Sequence, residues 1–175
     1  MVVTVPAHSG GAVRASSMSG DVTCDGILAD RVELSTKSGD AAVYSVQAGA
    51  LTAHVVSGNI LVRSAACTRQ AVLTATSGDI DAEFEVVGSL EVRTVSGDIR
   101  LNVSDAQTLE WTRARAISGD IRIYVPSSVQ VRTELRSVSG RIRTTASGTH
   151  ELRLSETGVP IEAVTTSGDI SLAAM

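Results

Sequence analysis

Residues 92–99 read VRTVSGDI, and this stretch decides the fold because its Ser-Gly core recurs along the whole chain. Eight copies of Ser-Gly are followed by a polar residue, which is Asp or Asn in seven of them, and then by an aliphatic residue; their serines are spaced by 19, 19, 20, 19, 22, 21 and 28 residues. Such near-constant spacing is typical of a repeat architecture. The residues of the eight copies are Ser19, Gly20, Asp21, Ser38, Gly39, Asp40, Ser57, Gly58, Asn59, Ser77, Gly78, Asp79, Ser96, Gly97, Asp98, Ser118, Gly119, Asp120, Ser139, Gly140, Arg141, Ser167, Gly168 and Asp169.

The periodicity of apolar residues around each copy distinguishes strands from helices. Apolar residues precede the serine by six and four positions and follow it by three and five, as in Leu90, Val92, Ile99 and Leu101 around Ser96. Alternation with a period of two predicts strands that bury one face. The buried offsets change from even to odd across the serine, which predicts a bulge or corner at each Ser-Gly.

Two strands and two corners in about 19 residues would fit either a hairpin or one turn of a coil. In a coil, equivalent residues stack about 4.8 Å apart, so each column must hold similar residues, as the copies do. We therefore predict an all-β, single-domain β-solenoid of about eight turns, or rungs, of 19–22 residues. Residues 1–18 are predicted to form a cap or first strand, and residues 19–175 the repeats. The extra Ser9-Gly10 is predicted to lie in a cap or loop, and the largest loop around residues 146–158.

Composition excludes several classes of protein. A net charge of −4 and only 2% aromatic residues disfavour a nucleic-acid binder. No stretch approaches the roughly 18 apolar residues of a membrane span, and residues 1–6 lack the features of an export signal. We therefore expect a cytoplasmic location for the chain as given, or the cell surface or envelope if an export signal has been removed. Two cysteines fit neither a disulfide scaffold nor a zinc site, and Cys24 is predicted to be a small core residue.

The repeated unit of residues 92–99 resembles that of the bacterial adhesin-like family of β-strand-repeat domains. The resemblance covers about residues 11–172. It implies a right-handed β-helix with a role at the cell surface or envelope, and it carries no catalytic residues. The chain departs from the family pattern at Arg141, which replaces the usual Asp, and in lacking an export signal.

The stacked Asp residues form the first candidate site. Carboxylates about 5 Å apart repel each other, so either hydrogen bonds from turn amides or a bound cation must relieve the repulsion. Asp79, Asp98 and Asp120 are the candidate calcium ligands, although one Asp per rung supplies few of the six to eight oxygens that calcium takes. Asn59 and Arg141 interrupt the column in the aligned sequence and are predicted to break any continuous ladder of ions along it.

Arginines form the second candidate site, a face that could bind anions. Two interpretations are open, since a polyanion or lipid headgroup could bind there or nearby acidic residues could neutralise the charge. One predicted column contains Arg93, Arg115 and Arg136, and the other contains Arg100, Arg122 and Arg143.

Three functional classes follow. The first is a non-enzymatic, adhesin-like scaffold or binding module, whose partner is an unknown protein or a polyanionic surface ligand. The second is a self-assembling structural protein that stacks end to end like a bactofilin, because residues 169–175 stop directly after the last corner and leave little chain for a cap. The remote third is a polysaccharide-acting β-helix enzyme, disfavoured because the carboxylates lie in a line rather than in one groove. We predict no enzymatic activity and no cofactor.

Overall fold

The chain folds into one coil of parallel β-strands. The structure, a computed structural model, describes residues 8–146 and 152–175. Its strands are β1 (His8–Ser17), β2 (Val22–Asp25), β3 (Leu28–Ser38), β4 (Ala41–Tyr44), β5 (Gln47–Ser57), β6 (Ile60–Ser77), β7 (Ile80–Ser96), β8 (Ile99–Asp105), β9 (Trp111–Ser118), β10 (Ile121–Val125), β11 (Gln130–Ser139), β12 (Ile142–Ala146), β13 (Arg153–Leu154), β14 (Val159–Ser167) and β15 (Ile170–Ala174). The described part of the chain contains no helix of the length and apolarity that a membrane crossing needs.

The coil has a first face before each Ser-Gly corner and a second face after it. Along the first face the strands pair in the order β1, β3, β5, β6, β7, β9, β14 and β11. Along the second face the order is β2, β4, β6, β7, β8, β10, β15 and β12. Every pair is parallel, so the predicted β-solenoid is confirmed. The right-handed sense of the coil stays a prediction.

Alternating side chains build the core, as the period of two predicts. Leu51, Ala53 and Val55 are buried before the corner at Ser57, and Ile60 and Val62 are buried after it. The change of phase at the corner turns the chain while it keeps apolar side chains inside. The described core consists mainly of Val, Ala, Leu and Ile, joined by the fully buried ring of Phe84.

The order of the rungs in space differs from their order in the sequence. We call residues 8–25 the first rung, residues 130–146 the terminal rung and residues 159–174 the inserted rung. In the inserted rung, β14 pairs with β9 on one side and β11 on the other, and β15 likewise lies between β10 and β12. The terminal rung therefore precedes the inserted rung in the sequence, but the inserted rung lies between it and the rung of β9 and β10.

This insertion corrects the prediction that residues 169–175 form an open end of the solenoid. Residues 169–174 lie in β15 and the corner before it, between two other rungs. The exposed end of the stack is the terminal rung instead. Only β13 pairs with the outer edge of β11 in the part of the chain that the structure describes, and it covers that edge at Gln130 and Val131.

The expectation for Ser9 and Gly10 also changes. Ser9 and Gly10 lie in β1, at a register shift in its pairing with β3, rather than in a cap or loop. Residues 8–17 thus belong to the coil itself, and residues 1–7 lie outside the described residues. Of the predicted loop at residues 146–158, residues 147–151 lie outside the described residues, and the remainder includes β13.

Candidate functional site

A ladder of hydrogen bonds runs along the Ser-Gly-Asp corners. In each rung the Asp Oδ1 accepts a hydrogen bond from the backbone N–H of the equivalent residue in the next rung, with N···O distances of 2.7–2.9 Å. Asn59 fits the same ladder, because its amide oxygen accepts from the N–H of Asp79 at 2.9 Å. Asn59 therefore does not interrupt this ladder of hydrogen bonds, whereas the break that it would make in a ladder of ions stays a prediction. In spatial order the ladder contains Asp21, Asp40, Asn59, Asp79, Asp98, Asp120, Asp169 and Arg141.

Arg141 ends the ladder rather than interrupting it. Its N–H donates to Asp169 Oδ1 at 2.8 Å, and its rung is the last of the stack that the structure describes. Among the described residues no further rung presents a backbone N–H to this position, so an acceptor side chain is not needed there. The prediction of an interruption assumed that the rungs stack in sequence order, which the inserted rung overturns.

The three calcium candidates are engaged in this ladder. Each of Asp79, Asp98 and Asp120 uses Oδ1 for the next rung, and Arg122 approaches Asp98 Oδ2 at 3.4 Å and Asp120 Oδ2 at 2.7 Å. Among residues 8–146 and 152–175, no group of three or more His, Cys, Asp or Glu side chains is arranged to hold a metal ion. Hydrogen bonds from backbone amides at the corners, the alternative to a bound cation, therefore relieve the repulsion between these carboxylates.

Substitutions at Asp120 separate the ladder from calcium binding. Asp120→Ala removes the acceptor for the N–H of Asp169, so we expect the free energy of unfolding to fall by about 1–3 kcal/mol in urea titrations. Asp120→Asn keeps an Oδ1 acceptor, as Asn59 does, and loses only a half-exposed ion pair, so we expect a loss below about 1 kcal/mol. If calcium is bound instead, millimolar Ca²⁺ raises the Tm and Asp120→Asn abolishes that rise.

Most of the predicted anion-binding arginines contact a carboxylate or an aromatic ring. Arg93 pairs with Glu91 and Arg136 pairs with Glu134. Arg115 Nη2 lies 2.7 Å from Glu162 Oε1, and Arg122 bonds to the two Asp residues named above. Arg100 lies over the ring of Tyr124 at 5.5 Å from its centroid. The paired interpretation therefore describes most of this face.

The inserted rung also breaks the two predicted arginine columns. Val164 lies between Arg115 and Arg136 in the first column. Ser171 lies between Arg122 and Arg143 in the second. Each column thus keeps two adjacent arginines and a third that is separated from them by a neutral side chain.

Glu162 is held by two arginines of this face. It accepts hydrogen bonds from Arg113 Nε at 2.8 Å and from Arg115 Nη2 at 2.7 Å, which join the inserted rung to β9. The hydrogen bonds from Arg115 and Arg113 lower the pKa of Glu162 below its ordinary value. Sequence reasoning missed this contact because the pairing of β14 with β9 spans 49 residues.

This lowered pKa has a consequence for stability. Because folding lowers the pKa, the stabilisation from Glu162 is present above the unfolded pKa of about 4.3 and is lost as the pH falls through the folded pKa. We expect Glu162→Gln to lower the free energy of unfolding at pH 7, and the difference from wild type to shrink below pH 4. Urea titrations across this pH range provide the measurement, and the exposed Glu85→Gln provides the control. A difference that stays constant down to pH 2 would contradict the assignment.

The terminal rung differs from every other rung in charge and exposure. It contains four arginines and one glutamate: Arg132, Arg136, Arg141, Arg143 and Glu134. Ile142 is 45% exposed, whereas Ile121 and Ile170 in the same column are fully buried. Apolar core and arginines are thus exposed together at one end of the solenoid.

A groove of 680 Å³ crosses the outer surface of the last three rungs beside this end. Trp111, Pro160 and Arg132 line it from three different rungs, and the guanidinium of Arg113 lies 5.4 Å from the centre of the Trp111 ring. The sequence could not reveal this groove, because it forms only when Pro160 is inserted between the other two residues.

Both cysteines are core residues, which confirms the prediction for Cys24. Cys24 is 4% exposed and Cys67 is fully buried. Burial, with a smaller contribution from Asp25, raises the pKa of Cys24 to about 11. Burial alone raises the pKa of Cys67 to about 12. Both thiols are therefore neutral at physiological pH.

Stacked parallel rungs with a hydrogen-bonded corner ladder define a β-solenoid repeat domain. The model of the Toastrack DUF4097 family matches residues 1–173, and the chain belongs to that family. No curated protein and no solved structure matches the chain.

Proposed function

We propose that this Toastrack domain is a non-enzymatic binding scaffold that docks an acidic partner on its terminal rung. The observation that carries the proposal is the exposure of four arginines around Ile142, at an end of the apolar core that no described rung covers. Guanidinium groups bind carboxylates in paired hydrogen bonds, and exposed apolar side chains add contact area. The remainder of the scaffold holds this end in a fixed geometry.

The arrangement of the carboxylates supports a scaffold over an enzyme. The corner aspartates lie in a line, and their Oδ1 atoms accept backbone hydrogen bonds. A glycosidase instead needs two carboxyl groups that face one substrate bond across a groove. The corner aspartates are thus committed to holding rungs together.

An adhesin-like role is the more specific form of this proposal, and the family resemblance implies it. Such a role needs the terminal rung to face the outside of the cell. Protease treatment of intact cells that express the natural gene product tests this location, with lysed cells as the control. Cleavage only after lysis would reject the adhesin-like form and leave an internal scaffold.

Binding of fluorescein-labelled poly-L-glutamate, followed by fluorescence anisotropy, tests the docking site. We expect the double variant Arg141→Ala/Arg143→Ala to bind about tenfold more weakly at low salt, equivalent to about 1.4 kcal/mol. The matched control is Arg31→Ala/Lys37→Ala, which removes the same charge from the second rung and should change the affinity less than about twofold. Binding should also weaken as salt rises. Equal losses in the two double variants would show that the terminal rung is not the site.

A further inference from the structure

We propose that the partner of the terminal rung is the first rung of a second copy, so that copies stack head to tail. This inference rests on the proposed function, because it names the acidic partner of the same site. The first rung contains one arginine and two aspartates, Arg14, Asp21 and Asp25, against the four arginines and one glutamate of the terminal rung. The two ends of the solenoid therefore have opposite charge.

The backbone groups of the two ends are complementary in direction. Inside the stack, Gly119 N–H donates to Ser167 C=O and Ile121 N–H donates to Asp169 C=O, both at 2.9 Å. The equivalent donors of the terminal rung are the N–H groups of Gly140 and Ile142. The equivalent acceptors of the first rung are the C=O groups of Ser19 and Asp21. A second copy placed head to tail continues the parallel ladder with unchanged polarity, whereas a two-fold dimer would bring two sets of four arginines together.

The outer side-chain columns also continue without a like-charge contact. Glu134 of one copy would lie over Arg14 of the next, and Arg14 already forms an ion pair of 2.8 Å with Glu33 in the same column. In the corner column, Arg141 would meet Asp21. The ion pair of Arg122 with Asp120 shows that an arginine beside this corner reaches the free carboxylate oxygen.

The apolar columns match in the same register. Ile142, which is 45% exposed, would lie over Val22, which is already buried within its own copy. Val138, which is 83% exposed, would lie beside Met18, which is 69% exposed. β13 covers the edge of β11 only at its first two residues, and no other strand among the described residues pairs with that edge from position 132 onward.

The joint is weaker than a contact between internal rungs. Arg141 has no carboxylate to accept the N–H of Asp21, so one hydrogen bond of the corner ladder is replaced by an ion pair. We therefore expect reversible assembly that depends on protein concentration and weakens as salt rises.

Light scattering coupled to size-exclusion chromatography of the full chain tests the inference. The mean mass should rise with concentration from the 18.1 kDa of one copy towards multiples of that mass. Arg14→Glu and Glu134→Arg each place like charges at the joint, so each variant alone should remain at 18.1 kDa. An equimolar mixture of the two variants restores opposite charges at every joint and should assemble. Because both positions are exposed, circular dichroism should show an unchanged fold in each variant.

A second variant tests the apolar part of the joint. Ile142→Asp buries a carboxylate at the interface and should hold the mass at 18.1 kDa at all concentrations. A wild-type mass that never rises, or a mixture of charge variants that behaves like its components, would overturn head-to-tail stacking. If poly-L-glutamate still binds in that case, the proposed docking site stands, and the arginines protect an open strand edge from pairing. If the polymer also fails to bind, the docking site falls with the inference.

Discussion

Replacing Gly119 with alanine should lower the free energy of unfolding by about 3 kcal/mol or more, one of the largest effects expected of a single methyl group in this chain. Gly119 has a φ of +143°, a conformation that residues with a Cβ rarely adopt. A Cβ placed there would lie 2.0 Å from the carbonyl oxygen of Gly97 in the rung below. Because that oxygen is backbone, neither rung can yield without disturbing the hydrogen bonds of the corner.

Gly20 provides the matched control for this substitution. It occupies the same corner position in the first rung with a φ of +117°, but a Cβ there would meet only Ser17 Oγ, at 3.9 Å. Gly20→Ala should therefore cost only the backbone strain, about 1 kcal/mol. Urea titrations of both variants, at a concentration where the chain is monomeric, give the difference, which measures the close approach of neighbouring rungs. Equal losses at the two positions would contradict the tight stacking of the corners.

The repeat predicted the fold because each rung has the same pattern of buried residues on both sides of its corner. The even and odd offsets around Ser96 identify strands on both sides of a corner, and the structure confirms them at Leu90, Val92, Ile99 and Leu101. Column identity indicated stacking, since each position in a rung contacts its equivalents above and below.

Because equivalent residues in a column are alike, the sequence did not indicate the order in which the rungs stack. Ile121, Ile142 and Ile170 are interchangeable in a column, so apolar pattern alone cannot tell which of them is the last. The spacing of 28 residues between Ser139 and Ser167 predicted a long loop, and it also spans the connection from the terminal rung to the inserted rung. Neighbours in the arginine columns were misassigned for this reason.

One signal in the sequence did mark the order. An acceptor side chain at the corner is needed in every rung that has another rung above it, and Arg141 lacks one while Asp169 has one. The terminal rung is therefore the rung with arginine. Using this signal requires knowing that the Asp column accepts backbone N–H groups from the next rung, which the structure reveals.

Alanine substitutions at Ile170 and Ile142 should differ strongly in their effects, although the two residues share one column. Ile170 in the inserted rung is fully buried between Ile121 and Ile142, so Ile170→Ala should lower the free energy of unfolding by about 2–5 kcal/mol. Ile142 in the terminal rung is 45% exposed, so Ile142→Ala should cost about 1 kcal/mol. Urea titrations at a concentration where the chain is monomeric give both values.

The pair of variants tests the inserted rung because stacking in sequence order reverses the prediction. In that arrangement β12 would pair directly with β10, Ile142 would be enclosed, and Ile170 would lie at the exposed end. A larger loss for Ile142→Ala than for Ile170→Ala would therefore reject the insertion. The expected order instead requires that residues 159–174 enter the stack between two rungs that precede them in the chain. Because the inserted rung completes contacts on both of its sides, removing its core side chain weakens the pairing with β10 and with β12 at once.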